Sequence, residues 1–307
     1  MNDSTTKPTT LRSATATGRI EVTTAGVALI RSGPLDERDV VESARVAGLM
    51  AVKQLPFWLP YRPGGAALDT RIGFVVGDDA VSIEATVETI SATGVEMEAL
   101  AAVSAAALCI YDMLVAHVGM EMEIGAVRLD RERGGRTQYA KTIESARAVV
   151  IVLSDSVASG SKPDTAGRAV ADGLERAGFE VAGYDVLPDE PAELEARIRS
   201  WLVHAPDLIV TVGGTGVGPR DRTVEVVSPL LTMHLPGLME AARAFGQART
   251  PYAMLSRGVA GLNAGTVIAT FPGSRRGAEE TLEAVLDGLI HLIDVLHVTQ
   301  PHDGGYT

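Results

Sequence analysis

Residues 207–225 read DLIVTVGGTGVGPRDRTVE, and this stretch limits the fold more than any other. Asp207 to Val212 is a short apolar, β-branched run of the buried-strand type. It passes directly into Gly213-Gly214-Thr215-Gly216, and Arg220, Asp221, Thr223 and Glu225 follow where a helix can begin. Strand, glycine turn and helix start together form a place for an anion, because glycines let backbone approach a ligand and free N–H groups attract phosphate. Asp221 and Glu225 are spaced to share one face of a helix. Carboxylates beside a phosphate cradle imply Mg²⁺ between them. The glycines alone fit an ordinary tight turn; the whole string points to a site.

The flanking sequence supplies a sheet for this loop. Val149–Leu153 is an unbroken apolar strand ending in Ser154-Asp155-Ser156. Asp164 is placed to cap a helix carrying Ala166, Val170, Leu174 and Ala177 at helical spacing, and Gly178 closes it. Phe179–Leu187 is a second strand. Pro188-Asp189-Glu190-Pro191 turns into a helix running through Trp201, which leads to the 207–212 strand. Further on, Ser256-Arg257-Gly258 precedes the strand Thr266–Phe271, and Pro272-Gly273-Ser274 turns into a helix from about Gly277 to Leu296. Strands alternating with helices predict parallel βαβ units, whose ligands collect at the carboxyl ends of the strands. Ser154/Asp155, Asp189 and the glycine loop each stand at such an end. Ser256 and Ser274 are candidate donors to phosphate or pterin, and Arg257 a candidate bidentate phosphate ligand.

Composition removes several function classes. A formal net charge of −12 argues against general nucleic-acid binding. The single cysteine, Cys109, excludes a disulfide framework and a thiolate metal cage. The six histidines contain no H-x-x-x-H pair. The start, MNDSTTKPTTLRS, is polar and lacks the apolar core of a secretory signal. The apolar run Ala99–Val118 is alanine-rich and contains Asp112, so it reads as a buried helix, not a membrane span. The expectation is a cytoplasmic chain of 307 residues in two domains, 1–141 and 142–307, with frayed ends at Met1 to about Thr10 and at Gln300–Thr307.

In the first half, residues 19–30 alternate weakly and Ser32-Gly33-Pro34 breaks the chain. Asp36 or Asp39 caps a helix reaching Met50 to Val52, and an irregular loop spans Pro56 to Gly65. Leu68–Val76 and Ala80–Ile90 form a hairpin about Gly77-Asp78-Asp79. A long helix covers about Val95 to Val118, and Met122–Leu129 is a last strand. Helices between antiparallel strands predict an α+β domain of ferredoxin-like type, followed by the α/β domain with its mostly parallel sheet.

Asp39-Val40, Ala44-Arg45-Val46-Ala47-Gly48, Thr93-Gly94-Val95-Glu96-Met97-Glu98-Ala99-Leu100 and Ile110-Tyr111-Asp112-Met113 resemble the cyclic pyranopterin monophosphate synthase (MoaC) family over roughly residues 10–139. The resemblance implies an enzyme making a pterin precursor of the molybdenum cofactor. It also implies two lysines and a histidine that are missing here. Glu37 stands at the first lysine position, Tyr61-Arg62-Pro63-Gly64 replaces the Leu-Cys-His-Pro loop, and Val115 stands at the second lysine position. Glu96, Glu98 and Asp112 of that site remain. Lys53 and Arg62 are the nearby cations. A degenerate, inactive cyclase fold is expected, because the rearrangement needs proton donors and positive charge against phosphate.

The glycine loop with Arg220-Asp221, Thr223, Glu225, Ser256-Arg257, Ala260-Gly261 and Pro272-Gly273-Ser274 resembles the molybdopterin adenylyltransferase family of the MogA/MoaB type, over about 146–298. The resemblance implies a three-layer, molybdopterin-binding α/β fold. It implies transfer of AMP from ATP to the terminal phosphate of molybdopterin, with Gly213–Gly216 holding that phosphate. Asp189 and Asp221, with Glu225, would hold Mg²⁺. Two other readings stand beside this one: a non-catalytic molybdopterin carrier or scaffold, and a bifunctional protein whose cyclase domain is also active. Both resembled families imply a homotrimer or homohexamer, possible contact with other cofactor-biosynthesis proteins, and no nucleic-acid or membrane partner.

Overall fold

The computed structural model describes residues 7, 9–32, 37–61, 67–135, 143 and 146–297, with only the backbone of Ser32, Glu37 and Arg38. The chain divides into two units, Met1–Tyr139 and Ala140–Thr307.

The first unit runs β1 (Thr10–Glu21), α1 (Thr23–Ser32), α2 (Glu37–Trp58), β2 (Asp69–Val76), β3 (Ala80–Ser91), α3 (Glu96–Val118), β4 (Glu123–Ile124) and β5 (Arg128–Arg133). Its sheet has the order β2-β3-β1, with β4 and β5 both pairing to the free edge of β1. Every pairing is antiparallel, which is the ferredoxin-like arrangement. Alternate residues Ala14, Ala16 and Ile20 of β1 and Val81, Ile83, Ala85 and Val87 of β3 form the inner face. The alanine side of α3 packs on them through Ala99, Ala102, Val103, Ala106 and Ile110. Although α3 is apolar and long enough to cross a membrane by composition, here it packs against the sheet. Gly48 brings α2 close to it: a Cβ there would lie 2.9 Å from the Ala102 carbonyl.

Three expectations for this unit change. Residues 23–32 are helix, and the strand lies earlier, beginning at Thr10. β1 is central and carries small residues on both faces, so its period of two shows little apolar–polar contrast. The helix α2 continues past Val52 and through Pro56 to Trp58. Buried Leu55, packed with Ala51 and Ala101, anchors that last turn. The expected single strand 122–129 is two short ones, broken where the Gly125 N–H bonds the Arg19 carbonyl at 2.8 Å.

The second unit runs β6 (Arg147–Leu153), α4 (Asp155–Ala158), α5 (Ala166–Arg176), β7 (Glu180–Leu187), α6 (Pro191–Leu202), β8 (Leu208–Val212) and α7 (Thr223–Val227). It continues with β9 (Met233–His234), α8 (Pro236–Gln247), β10 (Ala260–Asn263), β11 (Thr266–Phe271) and α9 (Arg275–His297). The sheet order is β7-β6-β8-β11-β10-β9. β7, β6, β8 and β11 are parallel, and β10 and β9 close the edge antiparallel. Odd and even positions of the buried strands feed opposite layers. Val150, Val152, Val210 and Phe271 pack under α5, α8 and α9. Val149, Ile151, Ile209 and Ile268 pack under α6 and α7. Successive crossovers through α5 and α6 therefore lie on opposite faces, and the chain reverses direction between β6 and β8. That switch point opens a crevice at the carboxyl ends of the strands.

Two buried hydroxyls among the described residues have no hydrogen-bond partner, Thr10 in the first unit and Thr211 in the second. Thr211 in β8 is fully buried, and its hydroxyl has no hydrogen-bond partner. Thr211→Val keeps the shape and removes the unpaired oxygen, so it is expected to stabilise the unit by about 1 kcal/mol. A thermal melt is expected to rise by roughly 2–4 °C.

Candidate active site

The carboxyl ends of β6, β7, β8 and β11 bring together Ser154-Asp155, Pro188-Asp189-Glu190, Gly213–Gly216 and Pro272-Gly273-Ser274. Gly213 and Gly214 both have positive φ, 115° and 65°, a region that other residues enter only with strain. Gly213 is further confined because Gly273 passes close by: a Cβ on Gly273 would sit 3.2 Å from the Gly213 Cα. Below the turn, the buried Thr223 hydroxyl donates to the Gly213 carbonyl at 2.9 Å, and the Thr223 N–H donates to the Gly214 carbonyl at 3.2 Å. Thr223, expected among the ligand-binding residues, is thus placed as a pin under the loop.

The loop exposes donors. The N–H groups of Gly214, Thr215, Gly216 and Val217 have no acceptor among the described residues. Successive free N–H groups in a left-handed turn form a concavity suited to an anion. Helix α7 adds little to it, since α7 is five residues long and begins after Asp221. For the same reason Asp221 and Glu225 do not share a helix face. The Asp221 Oδ2 instead accepts the Gly218 N–H at 2.7 Å, and Glu225 turns to Arg257.

The two arginines expected near phosphate are bonded within the protein. Arg220 donates to both Asp155 carboxylate oxygens at 2.8 Å and to Glu190 at 3.1 Å. Arg257 donates from Nε to the Gly216 carbonyl at 2.7 Å, and from Nη2 to the Asp221 carbonyl at 2.7 Å. Its Nη1 pairs with Glu225, and that hydrogen bond holds the Glu225 carboxyl below its ordinary range. Neither guanidinium has the free fork that bidentate phosphate binding requires.

Asp155 and Asp189 exchange hydrogen bonds across the ends of β6 and β7. The Asp189 N–H donates to Asp155 Oδ1 at 3.0 Å, and the Asp155 N–H to Asp189 Oδ2 at 3.1 Å. The Asp189 N–H, with Arg220 behind it, holds Asp155 below the usual carboxylate range. Burial pushes Asp189 upward, and the charges of Asp155 and Asp221 push the same way. A cation relieves such a carboxyl. The Oδ1 atoms of Asp189 and Asp221 have no hydrogen-bond partner among the described residues. No three His, Cys, Asp or Glu side chains cluster among the described residues. Two carboxylates completed by substrate phosphates is the common Mg²⁺ arrangement, so these residues fit that ion.

Beside the loop lies a cavity of about 260 Å³ lined by Ser256, Pro272 and Ser274 together with Met239, Tyr252 and Glu280. Ser274 also caps α9, accepting the Gly277 N–H at 3.3 Å. Met239 comes from α8, a helix not expected from the sequence. Its signals are Pro236 at the first turn and Met239, Ala242 and Gly246 recurring on a buried side. Glu190, which fixes Arg220, and Tyr252, Glu280 and Arg243 were not singled out from the sequence either.

In the first unit, Glu98 is buried and Glu96 half-buried at the start of α3, while Asp112 is exposed. Burial, and then the Asp112 charge, push the Cys109 thiol upward. Val115 packs against the core, and Lys53 is exposed. Arg62, Pro63, Gly64 and the Glu37 side chain lie outside the described residues.

Residues 1–135 match the MoaC family, and residues 149–291 match the probable molybdopterin binding domain. Over 296 residues the chain is 41% identical to the molybdenum cofactor biosynthesis bifunctional protein of Chlorobaculum tepidum, covering 96% of this chain and 94% of that protein. It is 32% identical to the protein so named in Synechococcus elongatus, over 94% of this chain and 95% of that one. The cyclic pyranopterin monophosphate synthase of a Roseiflexus species is 45% identical over 135 residues, 43% of this chain and 84% of that protein. Among solved structures, the molybdopterin biosynthesis enzyme MoaB of Thermus thermophilus is 44% identical, covers 49% of this chain and 96% of its own, and has a TM-score of 0.47.

Proposed function

Because the chain belongs to the family of molybdenum cofactor biosynthesis bifunctional proteins, a MoaC domain followed by a MoaB/MogA-like domain, we propose that its second unit adenylylates molybdopterin with Mg-ATP. The observation that carries this reading is one juxtaposition. The unpaired N–H groups of Gly214–Val217 stand at the same sheet edge as Asp189 and Asp221, two carboxylates each with an oxygen left unbonded.

The chemistry asks little covalent help of the protein. A terminal phosphate oxygen of molybdopterin attacks the α-phosphorus of ATP; a P–O bond to that oxygen forms, the bond to the bridging α–β oxygen breaks, and pyrophosphate leaves. The attacking oxygen is already anionic near neutral pH, so positioning and charge neutralisation dominate. The loop N–H groups hold the phosphate without a counter-charge of their own. Asp189 and Asp221 would hold Mg²⁺, which when bound neutralises charge on the ATP phosphates. The cavity beside the loop offers the Tyr252 ring and the Ser256 and Ser274 hydroxyls to a polar heterocycle. The test is pyrophosphate release by the purified chain, expected only when ATP, molybdopterin and Mg²⁺ are all present. Binding of molybdopterin without release would support the carrier reading instead.

The first unit reads differently. Core-packed Val115 and exposed Lys53 leave no cation at the second lysine position of the resembled site. We read it as a MoaC fold without cyclase activity.

A further inference from the structure

We infer that Arg257 is a positioning residue that sets the shape of the glycine loop and the placement of Asp221, and that it is not a phosphate ligand. The inference rests on the adenylylation reading for its kinetic arm only. Arg257 touches the loop at three points. Its N–H donates to the Thr215 carbonyl at 2.9 Å, its Nε to Gly216, and its Nη2 to Asp221. Drawing in the carbonyls of Thr215, Gly216 and Asp221 from one side leaves the N–H groups of 214–217 free on the other. It also closes the turn in which the Asp221 N–H bonds the Gly218 carbonyl at 3.1 Å and the Asp221 carboxylate bonds the Gly218 N–H.

The strut is itself braced. Arg243, from α8, donates to the carbonyls of Ser256 and Gly258 at 3.3 Å each, on either side of Arg257. Glu225 orients the guanidinium from the far side and offsets its charge. Arg220 is offset in the same way by Asp155 and Glu190. The loop thus offers an anion its backbone donors, while Arg257 and Arg220 serve as internal staples. This differs from a cationic clamp, in which guanidinium forks point at the ligand.

The discriminating experiment compares Arg257→Ala, Arg257→Lys and Glu225→Gln in the full chain. As a strut, Arg257→Ala is expected to lower kcat about a hundredfold, as a misplaced reacting group does, and to raise KM for molybdopterin alongside it, because the loop that holds the phosphate loses its shape. Arg257→Lys is expected to stay near the alanine variant, because an ammonium cannot reproduce a planar fork reaching several carbonyls. Glu225→Gln is expected to lower kcat in the same direction, by less. A direct phosphate ligand predicts a different pattern. Arg257→Ala would then raise KM with kcat nearly unchanged, lysine would rescue, and Glu225→Gln, by freeing the guanidinium, would lower KM; any of these overturns the inference. A second readout needs no turnover: hydrogen exchange at the Gly218 and Asp221 amides is expected to speed up in Arg257→Ala while β6 and β11 stay protected. Unchanged exchange there overturns the inference even if the wild-type chain releases no pyrophosphate, and that last outcome defeats only the adenylylation reading.

Discussion

Asp221→Asn is expected to abolish nearly all pyrophosphate release while leaving molybdopterin bound. The Asp221 carboxylate has two separable jobs in this structure. One oxygen accepts the Gly218 N–H at 2.7 Å and keeps the loop closed; the other has no hydrogen-bond partner among the described residues, and the charge of this carboxylate reaches Asp189. An asparagine oxygen still accepts the Gly218 N–H, so the loop keeps its shape. Its NH₂ group is a donor and cannot ligate a cation. Removing one of the two carboxylates proposed to hold Mg²⁺ is expected to cost about 3 kcal/mol of charge stabilisation in the transition state, roughly a hundredfold in rate. Asp189 responds as well, since one of the charges that push its carboxyl upward is gone. The measurements are steady-state pyrophosphate release and equilibrium binding of molybdopterin by the same variant. Turnover within a few-fold of wild type would remove Asp221 from the mechanism. Loss of binding together with turnover would show that the loop, not the cation, had been damaged.

The second large effect concerns the first unit. The full chain, produced in a cell lacking its own cyclic pyranopterin monophosphate synthase, is expected to restore no molybdenum-enzyme activity. Three positions argue this. Glu37 stands where the MoaC resemblance implies a lysine, so the charge at that position is reversed. Pro63 stands where it implies a histidine, and losing one general acid or base costs about 10²–10⁴ in rate. Val115 stands at the second lysine position and has no titratable group; its partly buried side chain packs against the α3–sheet core. Arginine cannot give up a proton near neutral pH, so Arg62 cannot replace the histidine. Exposed Lys53 is left as the one described cation of this set. Restored activity, with soluble protein confirmed, would overturn the reading and make Lys53 the first residue to substitute. The family relatives named as synthases make this a sharp test, since identity of 45% over the unit coexists with the loss of those groups.

Much of the second unit was legible in the chain because its signals are local. The apolar run Val149–Leu153, the strand Thr266–Phe271, Pro191 at the first turn of α6 and the positive-φ Gly178 and Gly213 each depend on neighbouring residues alone. Strand ends follow from these, and so does the meeting of Ser154-Asp155, Asp189 and the glycine loop at one edge. In the first unit β1 escaped notice for the converse reason: Ala14 and Ala16 inward against Thr15 and Thr17 outward carry too little contrast to mark a face. The strand exists because β3 pairs with it along its whole length, from Thr10↔Ser91 to Glu21↔Ala80.

What the sequence determined by itself was the place of the site: a parallel sheet, a glycine turn after a buried strand, and carboxylates at the strand ends. What only the tertiary structure decided was which charged groups remain available there. Arg257 meets Glu225, and Arg220 meets Asp155, across 32 and 65 residues of chain. Those pairings engage Arg257, the candidate phosphate ligand, and Arg220 within the protein. The turn that folds Asp221 back onto Gly218 likewise separates it from Glu225, although helical spacing would have joined them. A guanidinium or carboxylate bonds whatever the fold brings within about 3 Å, and residues that far apart in the chain carry no local signal of who that neighbour will be.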